Sequence, residues 1–216
     1  MASKTGASTA YLEYKFNSAD APHTDRYLTP CILKLIGESN LGMRVLDVGC
    51  GNGHLLAQLA RRFGWTSVGI DLSEQGIAIA RKNYPDVRWE VLPADSDTLN
   101  NLNEKPFDLV ISTEVVEHLY DPKSYAKGCF SALRRGGRFV CSTPYHGYLK
   151  NLAIAATNHF DRHVSPLWDC GHIKFWSRAT LSQLLTESGF VNLQFRGAGR
   201  VPWLWKSMVM SGDRPQ

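Results

Sequence analysis

The first chemical signal in this 216-residue chain is a set of glycines followed by acids placed one apolar run apart. In Val45-Leu46-Asp47-Val48-Gly49-Cys50-Gly51-Asn52-Gly53-His54-Leu55 an apolar run enters a G-x-G-x-G turn and leaves as a helix. Without a Cβ, Gly49 and Gly51 can take positive φ and let a ligand approach the backbone. The first N–H groups of the following helix then face whatever rests above the turn. A pyrophosphate fingerprint needs G-x-G-x-x-G, and its sixth position here is His54. Asp71 closes the next apolar run, Ser67-Val68-Gly69-Ile70, where a carboxylate can accept from both hydroxyls of a ribose. Asp95, at the end of the run after that, can accept from an adenine amino group.

Both NAD and S-adenosylmethionine (SAM) carry a ribose diol, so Asp71 alone does not choose between them. Asp47, Asp71 and Asp95 at three consecutive strand ends favour a cationic nucleoside, because carboxylates repel a diphosphate and do not repel a sulfonium.

These residues need a frame. Apolar runs at Met43–Val48, Thr66–Ile70, Val87–Leu92, Phe107–Ser112 and Gly137–Ser142 alternate with amphipathic stretches, the pattern of a parallel sheet flanked by helices. Helices are expected at His54–Phe63, at Glu74–Asn83 behind a Ser73 cap, at Lys123–Leu133 behind Asp121-Pro122, and at Thr180–Ser188. Two further strands are expected at Val191–Arg196 and Leu204–Met210. An N-terminal helical cap is expected over 9–38, and 144–176 is too long for an ordinary connection and reads as a lid or substrate insertion in a single domain spanning 1–216.

Composition narrows the field. With 24 Lys+Arg against 20 Asp+Glu and 44% hydrophobic residues, the chain has the material for a core and not the charge of a disordered one. No stretch approaches the ~20 apolar residues of a membrane span, and Met1–Phe16 has no apolar core of a secretory signal. Five scattered cysteines without a C-x-x-C pair suit a reducing compartment, so a cytoplasmic location is expected. The basic residues form no block, and nucleic acid is not an expected partner.

Together VLDVGCGNG, GIDLS, the Asp95 position and Thr113-Glu114-Val115-Val116-Glu117-His118 resemble the class I SAM-dependent methyltransferases, most of all the ubiquinone-pathway O-methyltransferases and their small-molecule relatives. The resemblance runs from about Tyr11 to Met210. It implies an α/β fold: a Rossmann-like, seven-stranded, mostly parallel sheet in the order 3-2-1-4-5-7-6, helices on both faces, and the lid insertion after strand 5. It implies SAM as the donor and S-adenosylhomocysteine (SAH) as the product. It places Gly49 and Gly51 under the methionine moiety, Asp71 at the ribose, Asp95 and Ser96 at the adenine, and Thr113 beside the amino-acid part. Arg26 matches, more loosely, an arginine for the donor's carboxylate. Asp47, Cys50, Asn52, Gly53, Leu72 and Glu114 complete the implied cofactor set.

Methyl transfer to oxygen also needs a proton acceptor, since a phenol is mostly protonated at neutral pH. His118 after the fourth strand and His146 after the fifth border the crevice where such sheets bind ligands. The family resemblance adds a candidate Mg²⁺ set, Glu114, Glu117 and His118, at i, i+3, i+4; the same pattern occurs in metal-free methyltransferases, so a divalent metal is not required. Trp168, Phe175, Trp176, Trp203 and Trp205 would suit a flat apolar acceptor, and an apolar lid could also touch a membrane surface. The expected reaction is methylation of a small aromatic acceptor at a hydroxyl oxygen. N- or C-methylation of a small heterocycle or quinone-like acceptor, and a non-catalytic SAM- or nucleotide-binding protein, are the alternatives. A nucleic-acid amino-methyltransferase would show an Asn/Asp-Pro-Pro-aromatic tetrad where this chain has Ser112-Thr113-Glu114-Val115.

Overall fold

A computed structural model describes residues 16–37, 41–164, 167–168 and 170–216. In chain order the elements are α1 Asp25–Ile36, β1 Arg44–Val48, α2 His54–Phe63, β2 Thr66–Asp71, α3 Glu74–Asn83, β3 Arg88–Val91, α4 Ser96–Asn100 and β4 Phe107–Thr113. After a 3₁₀ turn at Val116–His118 come α5 Pro122–Ala132, β5 Leu133–Pro144, α6 Tyr148–Ala156, α7 Phe160–Val164, α8 Arg178–Glu187, β6 Val191–Ala198 and β7 Ser207–Asp213.

The seven strands form one sheet in the order β3-β2-β1-β4-β5-β7-β6. β1 to β5 pair in parallel, and β7 runs antiparallel to both β5 and β6. Alternation along the central strands divides the core between the two faces. Leu46, Val48 and Val110 pack with Tyr125, Phe139 and Leu185 on one side, and Val45, Leu109 and Ile111 pack with Ile32, Leu56 and Trp89 on the other. Ser73 caps α3 by accepting from the N–H of Gly76, and Asp121 caps α5 by accepting from Lys123 and Ser124, as their sequences imply.

The expected elements depart from the structure in four places. Leu204–Met210 is not the last strand: Val201–Leu204 turns, with Trp203 at φ 68, and β7 begins only at Ser207. β5 starts at Leu133, since Phe107 pairs with Leu133 before the register shifts toward Arg138. The short helix α4 went unpredicted, although its Asp95 cap accepts from Thr98 N–H at 2.8 Å. Of the expected N-terminal cap, α1 is helical from Asp25, residues 16–24 are not, and 9–15 and 38 lie outside the described residues.

Candidate functional site

Glycine chemistry builds the turn after β1. Gly49, Gly51 and Gly53 all have positive φ (79, 56 and 77°), and the N–H groups of Gly49 and Cys50 both donate to Ile70 O, locking the turn to β2. Gly53 differs from its neighbours in role. It packs inward, where a Cβ would stand 2.6 Å from the Trp89 ring, so it serves helix–strand packing and faces no ligand. Cys50 is likewise directed into the core beside Gly69. Asn52 is only 5% exposed; its amide donates to Ser18 O at 2.9 Å and Asp20 O at 3.0 Å, while its oxygen accepts from His54 N–H. With Tyr84 Oη donating to Ala19 O and the Phe16 ring standing over Gly51, these bonds hold a strap, Phe16–Asp20, across the turn.

Of the expected acids Asp47 and Asp71 lie close together, and Asp25 joins them. Asp71 accepts from Gly51 N–H through Oδ2 and from Ser73 N–H through Oδ1, both at 2.8 Å. Asp47, 2% exposed, has an Oδ1 with no partner, and burial together with the nearby Asp71 and Asp25 pushes its carboxyl up to about 8. Asp25 was not foreseen: burial raises it, and its Oδ2 has no partner. Arg26 beside it is exposed, so the first turn of α1 presents Asp25, not Arg26, to Asp47. Three neighbouring carboxyls under a backbone-lined turn make a site for a cation. Leu72, 48% exposed beside Asp71, offers apolar surface there. Asp95 spends Oδ1 on the α4 cap, and Ser96 bonds Ser124 of α5 through both its N–H and its hydroxyl.

A second cluster forms at the tips of β4 and β5. Thr113 pairs with Ser142, and the chain then swings through Glu114 at φ 53, a left-handed conformation that costs a residue with a side chain about 1–2 kcal/mol. The swing places the Glu114 carboxylate between Ser142 Oγ, donating at 2.7 Å, and Ser207 Oγ, donating at 3.2 Å; burial raises it to about 7. Glu117 is 1% exposed, and both its oxygens lack partners. Burial and then Glu114 push its carboxyl well above the usual carboxylate range.

The second half of the expected lid folds onto this turn. Ile173 and Lys174 donate backbone N–H to Glu117 O, Trp176 Nε1 donates to Val116 O, and the Trp176 carbonyl accepts from His146 N–H. His118 donates Nδ1–H to Gly171 O at 3.2 Å, which fixes the tautomer and leaves a lone pair on Nε2, 3.9 Å from Glu117 Oε1. Burial lowers His118 below its usual value. His146 rests edge-on against Phe175 and is lowered by burial and then Lys150 to about 4. His172, which the sequence places in the lid without a catalytic role, stacks edge-on with His118 at 5.0 Å and is also lowered to about 4, by burial and then His118.

The expected metal set is not the one the fold assembles. Glu117 and His118 lie in the 3₁₀ turn Val116–His118 and Glu114 precedes it at φ 53, so the three do not share an α-helical face, and Glu114 is committed to two serines. Among the described residues Glu117, His118 and His172 instead present donor atoms within 4.8 Å of one another. Two imidazoles and one carboxylate suit Zn²⁺ better than Mg²⁺. Lys150 and Ser207 were missed because the contacts that recruit them are long-range; the only local trace was a lone lysine inside the apolar run Leu149–Ala156.

A larger hollow of about 910 Å³ opens on the opposite rim of the sheet. Arg134 pairs there with Asp108 and Arg138 with Asp213, Arg214 donates to the carbonyls of Phe130, Ser131 and Leu133, and ligands of such sheets bind at the opposite, carboxyl ends of the strands.

Comparison with known proteins agrees with this geometry. The pattern of the methyltransferase domain family matches residues 21–194. The ubiquinone biosynthesis O-methyltransferase of Roseobacter denitrificans is 33% identical over 179 residues, 76% of this chain and 67% of that one. Its counterpart in Caulobacter sp. is 34% identical over 142 residues, 58% of this chain and 56% of that one. Among solved structures, phosphoethanolamine N-methyltransferase 2 of Haemonchus contortus in complex with S-adenosyl-L-methionine superposes with a TM-score of 0.67 at 18% identity, covering 88% of this chain and 52% of that one. The chain thus spans roughly half to two thirds of these relatives.

Proposed function

This chain belongs to the methyltransferase domain family, and from that premise we propose that it moves the methyl group of SAM to a hydroxyl oxygen of a small aromatic acceptor. The observation that carries the donor half is the acid-lined glycine turn: Asp25, Asp47 and Asp71 lie together where a positively charged adenosyl ligand would sit. The curated relatives are named O-methyltransferases, and the His118 cluster supplies what oxygen chemistry requires.

When bound, SAM supplies an electrophilic methyl group on a sulfonium that is already a good leaving group. The chain's own work is positioning and proton handling. A nucleophile must lie ~3–3.5 Å from the methyl carbon, in line with the departing sulfur. Asp71 and the turn fix the donor side of that line, and the tips of β4 and β5 fix the acceptor side. His118, neutral and held by Gly171, takes the hydroxyl proton on Nε2. The resulting imidazolium lies 3.9 Å from Glu117, whose carboxyl gains reason to ionise as that charge forms. The lid, bonded to the Val116–His118 turn, keeps water from competing.

The test is a screen with radiolabelled SAM against phenols, quinols and N-heterocycles, with products resolved by mass. Label on phenolic oxygen is the expected result. Label only on nitrogen or carbon would replace the oxygen assignment, and SAH binding without turnover on any acceptor would leave a binding protein.

A further inference from the structure

The first turn of α1 reaches both halves of the crevice. Asp25 stands near Asp47 under the glycine turn, and Tyr27, two residues on, sets its phenol against the Ser207 hydroxyl of β7. Ser207 in turn donates to Glu114 Oε2 at 3.2 Å, while Ser142 donates to Glu114 Oε1 at 2.7 Å. Only Val115 separates Glu114 from the Val116–His118 turn. Resting on the methyl-transfer reading above, we infer that Tyr27 is a positioning residue: it passes donor occupancy at Asp25 through Ser207 to Glu114, and so sets the turn that carries His118.

α1 is fixed at one end and loose at the other. In its second half Ile32, Leu35 and Ile36 are buried, Arg138 Nη1 donates to Leu35 O at 2.8 Å, and Cys31 Sγ lies 3.8 Å from Gly197 O. Of Asp25–Thr29 only Leu28 is buried. Pro30 divides the two parts. It has no N–H for the carbonyl of Arg26, so the first turn is tied to the rest of the helix by one bond fewer. Asp25 Oδ2 has no partner, and a cationic donor beside it gives it one, drawing on the turn that bears Tyr27.

Glu114 is where such a pull would register. A residue with a side chain stays at φ 53 only while its surroundings over-determine it, and Ser207 is one of the two serines that do so here. A hydroxyl rotates freely until its partners choose its direction. With Tyr27 donating to it, the Ser207 oxygen turns its own hydrogen toward Glu114. The Lys206 ammonium, 5.5 Å from the centre of the Tyr27 ring, holds that ring in place. One rival route exists: Val115 fills the space a Cβ on Gly49 would take, so the donor turn and the acceptor turn also touch directly.

The experiment follows amide hydrogen exchange of the full chain by mass spectrometry, with and without saturating SAH, alongside calorimetry of SAH binding. In the unaltered chain SAH is expected to slow exchange over 49–53 and, by about tenfold, over 114–118, the scale of an ordinary coupling between sites. Tyr27→Phe should keep SAH affinity and the protection of 49–53 while losing the SAH-dependent part over 114–118. Ser207→Ala breaks the next link and should give the same pattern. Protection of 114–118 that persists in both variants would assign the coupling to Val115 and overturn the inference. So would faster exchange there by the same factor with and without SAH, the mark of a merely structural contact. SAH binding to the unaltered chain with no effect on 114–118 would remove the coupling alone, whereas failure to bind SAH would remove the methyl-transfer reading and the coupling with it.

Discussion

The donor half of the crevice and the acceptor half are built by opposite means. On the donor side the backbone does most of the work: three glycines in left-handed geometry, two N–H groups locked to Ile70, and Asp71 tied to Gly51 and Ser73. On the acceptor side the side chains do it. Ser142 and Ser207, on antiparallel neighbours β5 and β7, converge on Glu114, and residues from the lid converge on the Val116–His118 turn. A site made of turn geometry is specified by a few adjacent residues, whereas one made of converging side chains depends on the whole sheet.

The difference can be broken open by substitution. The largest effect is expected from His118→Ala, which should lower turnover by ~10²–10⁴-fold, the range of a lost general base, and leave SAH affinity alone. Turnover that survives would move the proton acceptor to His146 or His172. Asp71→Ala should do the reverse: SAH affinity falls ~10–100-fold through lost charged hydrogen bonds, as calorimetry would read. An unchanged affinity would end the ribose assignment.

The two halves also differ in how pH strains them. Asp47 has a folded value near 8 against an ordinary value of 3.8, so across that window the folded chain holds a proton that the unfolded chain has lost. Stability from this group is full below about pH 4 and is lost as pH rises toward 8. The groups facing it are Asp71 and Asp25, with His54 acting on Asp25. Asp47→Asn removes the effect, so its melting temperature relative to the unaltered chain should climb steadily between pH 5 and 8; a flat difference would contradict the buried neutral acid. His146 and His172, lowered to about 4, work in the other direction, and their contribution is lost as pH falls from about 6.5 toward 4. Glu114, raised to about 7, adds a loss on the acceptor side as pH climbs from 4.5.

The smallest effect is expected from chelation. With His118 already oriented by Gly171, the proposed proton transfer needs no cation, and exhaustive EDTA treatment should leave turnover unchanged. Loss of activity restored by Zn²⁺ would assign a metal to Glu117, His118 and His172.

The same contrast explains what could be read from the residues alone. The glycine turn and the Ser73 and Asp121 caps are local patterns, and the fold keeps them; the strand order came from the family resemblance and is the order observed. Gly53 and Asn52, expected among ligand contacts, also pack against Trp89 and hold the strap through Ser18, roles that depend on residues far along the chain. His172 and Lys150 had no local signature that separates them from a solvated histidine and a helix lysine. Their meaning comes from a lid folding back by hydrogen bonds to Glu117 and from β7 carrying Lys206 and Ser207 beside the tip of β5.

The Phe16–Asp20 strap bears on the timing of the reaction cycle. Asn52, His54 and Tyr84 grip carbonyls at Ser18, Ala19 and Asp20, so the segment lets go as a unit or not at all. With the donor seated over Gly51 as proposed, its departure is expected to follow that release and, rather than bond-making, to set the ceiling on kcat. Its mark would be a burst of methylated product, one equivalent per chain, ahead of the steady rate; a linear onset would place the slow step at the chemistry instead.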